Sequence, residues 1–350
     1  MDTEWIYFDA VTGYDKGELN HAAQILRQGG LVAFPTETVY GLGGDGFNPQ
    51  AAKKIYEAKG RPSDNPLILH ISKREELDAI AARIPETAEK LMDAFWPGPM
   101  TLIFEKTKAV PYETTGGLDT VAVRMPSHEG ARQLIESAGV PVAAPSANTS
   151  GRPSPTTAEH VKEDLWGRID MIIDGGLVGI GVESTIIDVT EETPTILRPG
   201  HITKNMIAKV IGTVQMDAGL SGLDQSVKPK APGMKYRHYA PKASMTVIQG
   251  KKEAAIRRIE ELAAEYPKEK VGILAADETL SCYTHGQVVS AGSRNEHTIE
   301  QGLYRALREF DHMGVSVIFS ESFADDDRSE AIMNRLLKAA GQKIEYLSDK

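Results

Sequence analysis

The chain has 350 residues, 41% of them hydrophobic and 25% charged, with a net charge of −10; this is the composition of a globular protein large enough for two separate cores. Its single cysteine, Cys282, excludes an internal disulfide framework and a thiolate-rich metal site, and no apolar run approaches the ~20 residues that a bilayer crossing needs. The N-terminus, MDTEWIYFDA, has neither the basic nor the apolar region of a secretory leader, so a reducing cytoplasm is the expected setting.

The first helix is expected over 15–28, where Leu19, Ala22, Ala23, Ile25 and Leu26 share a face and Gly29-Gly30 supplies a stop. Strand-like runs follow at 31–34, 67–71, 100–104, 120–124, 140–144, 171–173 and 185–189, with helical stretches at 49–59, 85–94, 128–138, 157–165 and 203–211. Such uneven alternation predicts an α/β domain on a twisted mixed sheet over 1–212. Residues 213–243, rich in Pro, Gly and polar side chains and without a period, read as a linker. Beyond it, over 244–350, strands at 245–248, 271–275 and 315–319 alternate with helices at 251–265, 297–313 and 328–340. That pattern predicts a smaller, Rossmann-like, mostly parallel sheet.

Charge is uneven along this frame: −9 over 1–215, +3 over 216–243 and −4 over 244–350. An acidic body argues against sequence-independent binding of a long polyanion. A basic linker between two acidic domains suits one small anionic ligand.

The densest chemistry lies in PTETVYGLGGDGF (35–47) and the following segment to Ser72, which gather Thr36, Thr38, four glycines, Lys59, Arg61 and His70. Glycine lets backbone approach a ligand closely, and Lys and Arg supply point-charge and forked donors for phosphate or carboxylate. The bland alternative is a glycine-rich turn and a helix C-terminus with favourable charge. Gly41, Gly43 and Gly46 match G-x-G-x-x-G literally, with Asp64 at a plausible distance; but residues 35–40 intervene after the strand and Asp64 sits in a Pro-rich loop, so the dinucleotide fingerprint is rejected.

Four further segments place polar side chains at strand ends: Thr120 to Arg124 before Met-Pro, PVAAPSANTSGRPSPTT (141–157) with Ser146 and Ser154, GVESTIIDV (181–189) with Ser184, and ILRPG (196–200) with Arg198. Each alone suits a capped turn or a surface ion pair. Their shared position at strand ends points to a common cleft.

PTETVYGLG, KGRPSDNPL, VAVRMP, APSANTSGRPSPT, ESTIID and LRPG together resemble the YrdC-type domain of threonylcarbamoyl-AMP synthases. APGMKYRHYAP (231–241) is similar to the segment that joins this domain to a second one in the family's long form. The resemblance implies synthesis of L-threonylcarbamoyladenylate from L-threonine, bicarbonate or CO2, and ATP with its Mg2+, releasing pyrophosphate. It further implies that the product passes to a separate transferase complex that modifies position 37 of tRNA. By the same resemblance Thr38, His70, Arg124, Ala144 and Ser184 hold L-threonine. Lys59 and Arg61, the catalytic cations, line the ATP site with Asn65, Thr120, Ser146, Ser154, Arg198 and His238, Tyr236 lying near the last; the linker acts as a lid. No protein metal cage and no stable nucleic-acid complex are expected. Two other readings stand beside this one: a module binding double-stranded RNA or tRNA directly, and a hydrogenase-maturation carbamoyltransferase domain. The second is poorly served by a chain with one cysteine and no CxxC.

Overall fold

The computed structural model describes residues 2–221, 231, 238–324 and 329–348. They form two compact units, Met1–Ser150 with Ser154–Tyr236, and Gly151–Pro153 with Arg237–Lys350. Among the described residues no helix is long and apolar enough to cross a membrane.

The first unit is built on an eleven-stranded mixed sheet. Its order is Glu4–Tyr7, Met171–Asp174, Val32–Phe34, Gly41–Asp45, Val142–Ala143, Ile68–His70, Thr120–Arg124, Met100–Glu105, Thr185–Asp188, Thr195–Arg198 and Gln215–Met216. The central strands are apolar because both faces are covered. Leu69, Leu102 and Val123 enter one core cluster, while Ile68, Ile103 and Ala122 enter another that also takes Ala231 of the linker. Helices lie close to their expected positions, among them Lys16–Arg27, Pro49–Lys59, Glu129–Ala138, Ala158–Leu165 and Lys204–Ile211. Local chemistry sets their ends: Asp15, Asn48 and Thr157 cap with side-chain oxygens, and Gly60 closes the Pro49–Lys59 helix in the left-handed region at φ 59°.

One expectation is corrected. The glycine run after Tyr40 is no open ligand cradle but the Gly41–Asp45 strand, antiparallel to Val32–Phe34. A Cβ on Gly43 would come within 2.8 Å of both Phe34 and Val142, and one on Gly46 within 2.3 Å of Leu69. These glycines admit neighbouring protein side chains rather than a ligand. The linker is also partly structured, since Gln215–Met216 adds a parallel edge strand beside Thr195–Arg198.

The second unit carries a five-stranded sheet, parallel throughout, in the order Gln287–Ser290, Val271–Ala275, Val317–Glu321, Ser244–Gln249, Ile344–Tyr346. Helices Lys252–Ala263, Ile299–Met313 and Ser329–Ala339 make the crossovers. The sequence anticipates three of these strands; Gln287–Ser290 and Ile344–Tyr346 are short, half-buried edges whose mixed composition gives little periodic signal.

Candidate active site

Strand register brings the first group together. His70 pairs with Arg124 across parallel strands, and Thr101 pairs with Arg124 across an antiparallel one, so the three side chains share a sheet face. Arg124 donates from Nη1 to Thr38 Oγ1 at 2.9 Å and meets Glu37 Oε1 at 2.7 Å through Nη2. Thr38 Oγ1 is in turn 2.9 Å from Thr36 Oγ1, and the carbonyls of Glu37 and Thr38 accept from the amides of Ile180 and Gly181. The strand-end loop is therefore braced on two sides, and Arg124 is aimed rather than free to swing.

The electrostatics of this group follow from burial. Burial alone would raise the Glu37 carboxyl, but the Arg124 charge and contact outweigh it and hold the group below its ordinary value. Burial, helped by the nearby Arg124 charge, lowers His70 to about 3, so its imidazole is neutral at neutral pH.

Ser184 stands in a second group. Its Oγ lies 2.8 Å from Thr101 Oγ1, while Arg198 donates from Nε to the Ser184 carbonyl at 3.0 Å and from Nη2 to Ser184 Oγ at 3.1 Å. Thr101 thus joins the Arg124 face to the Ser184–Arg198 pair.

The third group surrounds Lys59. Buried at the last turn of its helix, Lys59 donates to the carbonyls of Ser146 and Asn148, and its own carbonyl accepts from the Ser150 amide at 2.8 Å. Past the Gly60 turn, Arg61 donates to the carbonyls of Asn65 at 3.2 Å and Pro66 at 3.1 Å. The Asn65 side chain is buried, and its Oδ1 has no hydrogen-bond partner among the described residues. Extending the register of Ile68 with Ala122 back along both strands sets Thr120 level with Pro66, at the Arg61 end of the strand whose other end carries Arg124.

One loop connects the groups. The Ala144 amide donates to the Ile68 carbonyl beside His70, and Ser146, two residues on, bridges Gly41 and accepts from Lys59. Ser154 is fully buried and donates to Glu183 Oε1 at 2.5 Å, next to Ser184 in sequence. His238 belongs to the second compact unit, where its ring lies 5.5 Å from that of Tyr239. Tyr236, and about half of the segment read as a lid, lie outside the described residues.

Three participants escape the sequence reading. Glu37 stands alone as a charged residue between Arg27 and Asp45, Thr101 looks like ordinary strand filling, and Glu183 precedes a serine that draws attention first. Among the described residues no three His, Cys, Asp or Glu side chains cluster as a metal site. The donors assembled here suit anions: a carboxylate at Arg124, and phosphate at Lys59, Arg61 and Arg198.

An α/β protein whose buried Arg and Lys side chains lie on strand ends and loops joined by one short segment suits an enzyme acting on small anionic substrates, and comparison with known proteins gives its class. A family described as "Telomere recombination" matches residues 24–200, and one described as "Threonylcarbamoyl-AMP synthase, C-terminal domain" matches residues 202–341. The threonylcarbamoyl-AMP synthase of Pyrococcus abyssi is 50% identical over 94% of this chain and 96% of its own length. That of Bacillus subtilis is 51% identical over 93% and 94% respectively. A crystal structure of P. abyssi Sua5 complexed with L-threonine superposes with a TM-score of 0.94 at 48% identity, covering 99% of this chain and all of that one. The chain belongs to the threonylcarbamoyl-AMP synthase family, as an enzyme of the two-domain form. The RNA-binding alternative is not favoured.

Proposed function

We propose that this enzyme makes L-threonylcarbamoyladenylate from L-threonine, bicarbonate or CO2, and ATP, releasing pyrophosphate, for threonylcarbamoyladenosine formation in tRNA. The observation that carries the reading is the 144–146 segment, with its Ala144 amide beside His70 and its Ser146 carbonyl on Lys59. In this reading the threonine side and the nucleotide side share one short piece of backbone, as joining an amino acid to a nucleotide requires.

The roles follow from the donors. Arg124 clamps the threonine carboxylate, with Thr38, Ser184 and Ala144 shaping the pocket around it. The neutral His70 keeps a second cation away from the amine, which must lose its proton before its nitrogen attacks CO2. The resulting carbamate oxygen displaces pyrophosphate from the α-phosphorus. Charge then grows on phosphoryl oxygens, where Lys59, Arg61 and Arg198 are fixed donors. Asn65, Thr120, Ser146 and Ser154 complete the nucleotide contacts in this proposal. Mg2+ bound to the polyphosphate would supply further charge neutralisation, carried by substrate phosphates and water.

The division into a catalytic domain (1–212), linker and lid (213–243) and C-terminal domain (244–350) belongs to the same proposal, as do transfer of the product to a separate tRNA threonylcarbamoyl transferase complex and a cytoplasmic location. The test is pyrophosphate release from ATP and Mg2+ with and without L-threonine and bicarbonate. Release that requires both supports the synthase; ATP turnover indifferent to threonine refutes it.

A further inference from the structure

The second unit holds a cavity of about 430 Å³ that the proposed reaction does not use. It opens beyond the carboxyl ends of the parallel strands, where Gly250, Lys251 and Lys252 follow Ser244–Gln249, Glu278 follows Val271–Ala275, Arg294 follows Gln287–Ser290, and Glu321 ends Val317–Glu321.

Topology makes this a place for a ligand. Val271–Ala275 and Val317–Glu321 are neighbours in the sheet. The chain leaves the first toward Gln287–Ser290 on one side and the second toward Ile344–Tyr346 on the other. Connections that diverge from adjacent parallel strands leave a crevice at their carboxyl ends, the place where open α/β sheets bind ligands. The volume lies within the range of small-molecule sites, roughly 300–1,000 Å³.

The charges select the ligand. Among the described residues the lining acids are Glu278 and Glu321, and both are engaged by the protein's own donors. Glu278 accepts from Ser293 Oγ at 2.6 Å and from the amides of Arg294 and Asn295 at 3.2 and 3.0 Å. Glu321 accepts from Tyr283 Oη at 2.8 Å and Arg294 Nη2 at 3.0 Å. Among the described lining residues the cations are Arg294, already engaged with Glu321, and Lys251 and Lys252, both exposed at the rim. The twelve-residue Lys252–Ala263 helix also begins here, and its N-cap Lys251 offers no side-chain acceptor to the first-turn amides. The positive end of the helix adds to the field of the lysines.

We propose that this cavity is a second ligand site, distinct in residues from the catalytic groups, and that it binds a small phosphate-bearing molecule through Lys251, Lys252 and the start of the Lys252–Ala263 helix. The site rests on the second unit alone and stands whether or not the catalytic assignments do.

Methyl NMR of the full chain titrated with AMP tests it, because Ile248 and Ala255 line the cavity. Their methyl resonances should shift saturably with AMP and stay in place with adenosine. The double variant Lys251→Glu, Lys252→Glu should weaken AMP binding at least tenfold while keeping the unliganded spectrum. A parallel titration with inorganic phosphate separates the two sources of the anion: an equal response supports a site for the free anion, and a response to AMP alone supports a nucleotide site. Methyls unmoved by both, an adenosine response equal to that of AMP, or unchanged affinity in the double variant would overturn the proposal.

Discussion

Arg124 and Glu37 form a buried ion pair, Nη2 to Oε1 at 2.7 Å, with the two side chains only 5% and 13% exposed. Removing one partner leaves a charge without compensation in a poorly solvated place, at a cost of about 3–5 kcal/mol. Arg124→Ala should therefore lower the melting temperature as well as raise the KM for L-threonine. The double variant Arg124→Ala, Glu37→Leu should recover much of the stability and none of the threonine affinity. Recovery of both would remove Arg124 from the threonine site.

The same pair sets a pH dependence. The Glu37 carboxyl is held below its ordinary value of 4.5, so the unfolded chain binds its proton more readily than the folded one does. The pair's contribution is complete above that value and is lost as pH falls below it. His70 acts in the same direction over a higher range. Neutral in the fold down to about pH 3, it is protonated in the unfolded chain below its ordinary 6.5, so stability falls as pH drops from 6.5 toward 3. Chemical denaturation at stepped pH should show this decline in the native protein and a shallower one in His70→Gln. Equal slopes would contradict the buried neutral imidazole.

Thr101 carries a prediction that the sequence could not supply. Its hydroxyl lies 2.8 Å from Ser184 Oγ, in a fully buried position. Thr101→Val keeps the shape and removes the partner, a loss of about 1–3 kcal/mol for a buried polar group left unsatisfied. Threonine KM should rise about tenfold or more while ATP KM stays within twofold; a selective effect on ATP would sink the placement of Ser184 beside threonine.

How much could be read in advance differs by kind of signal. Helices such as Pro49–Lys59 announce themselves through an Asn-Pro start and a Gly stop, because caps are local chemistry. β-branched runs such as that of Thr185–Asp188 are equally plain. The Gly41–Asp45 strand is not, since nothing in GLGGD favours extended structure; Phe34, Val142 and Leu69 leave no room for side chains, and that is a tertiary fact. The site divides in the same way. Lys59, Arg61, Arg124 and Ser184 carry the chemistry of their motifs openly, whereas Glu37 matters through an ion pair, and Thr101 through strand register, with residues far away in the chain.

Gly46 turns that tertiary fact into a measurement. A Cβ there would lie 2.3 Å from Leu69 Cδ2 and 2.8 Å from the Pro141 carbonyl, the second of which is backbone and cannot rotate aside. Gly46→Ala should destabilise the first unit by about 1–3 kcal/mol, the usual cost of overpacking. Thermal denaturation reads it; a variant as stable as the native chain would mean that the strand shifts freely, against the packing described.

Lys59 and Arg61 flank Gly60, and their side chains reach different carbonyls, Lys59 those of Ser146 and Asn148, Arg61 those of Asn65 and Pro66. If both are fixed donors for the polyphosphate, each loss should act on the chemical step. The kcat for pyrophosphate release should fall by about 10²–10³, the usual effect of removing one preorganised donor. Threonine binding, measured directly by calorimetry, should persist in Arg61→Ala because Arg124 and Thr38 are untouched. Lys59→Ala should add a second effect, since it also releases the 146–148 loop, whose Ala144 end lies beside His70; threonine affinity should then weaken several-fold. Lys59→Ala and Arg61→Ala variants with native turnover would remove the two residues from the nucleotide site and leave Arg198 as the cation to test next.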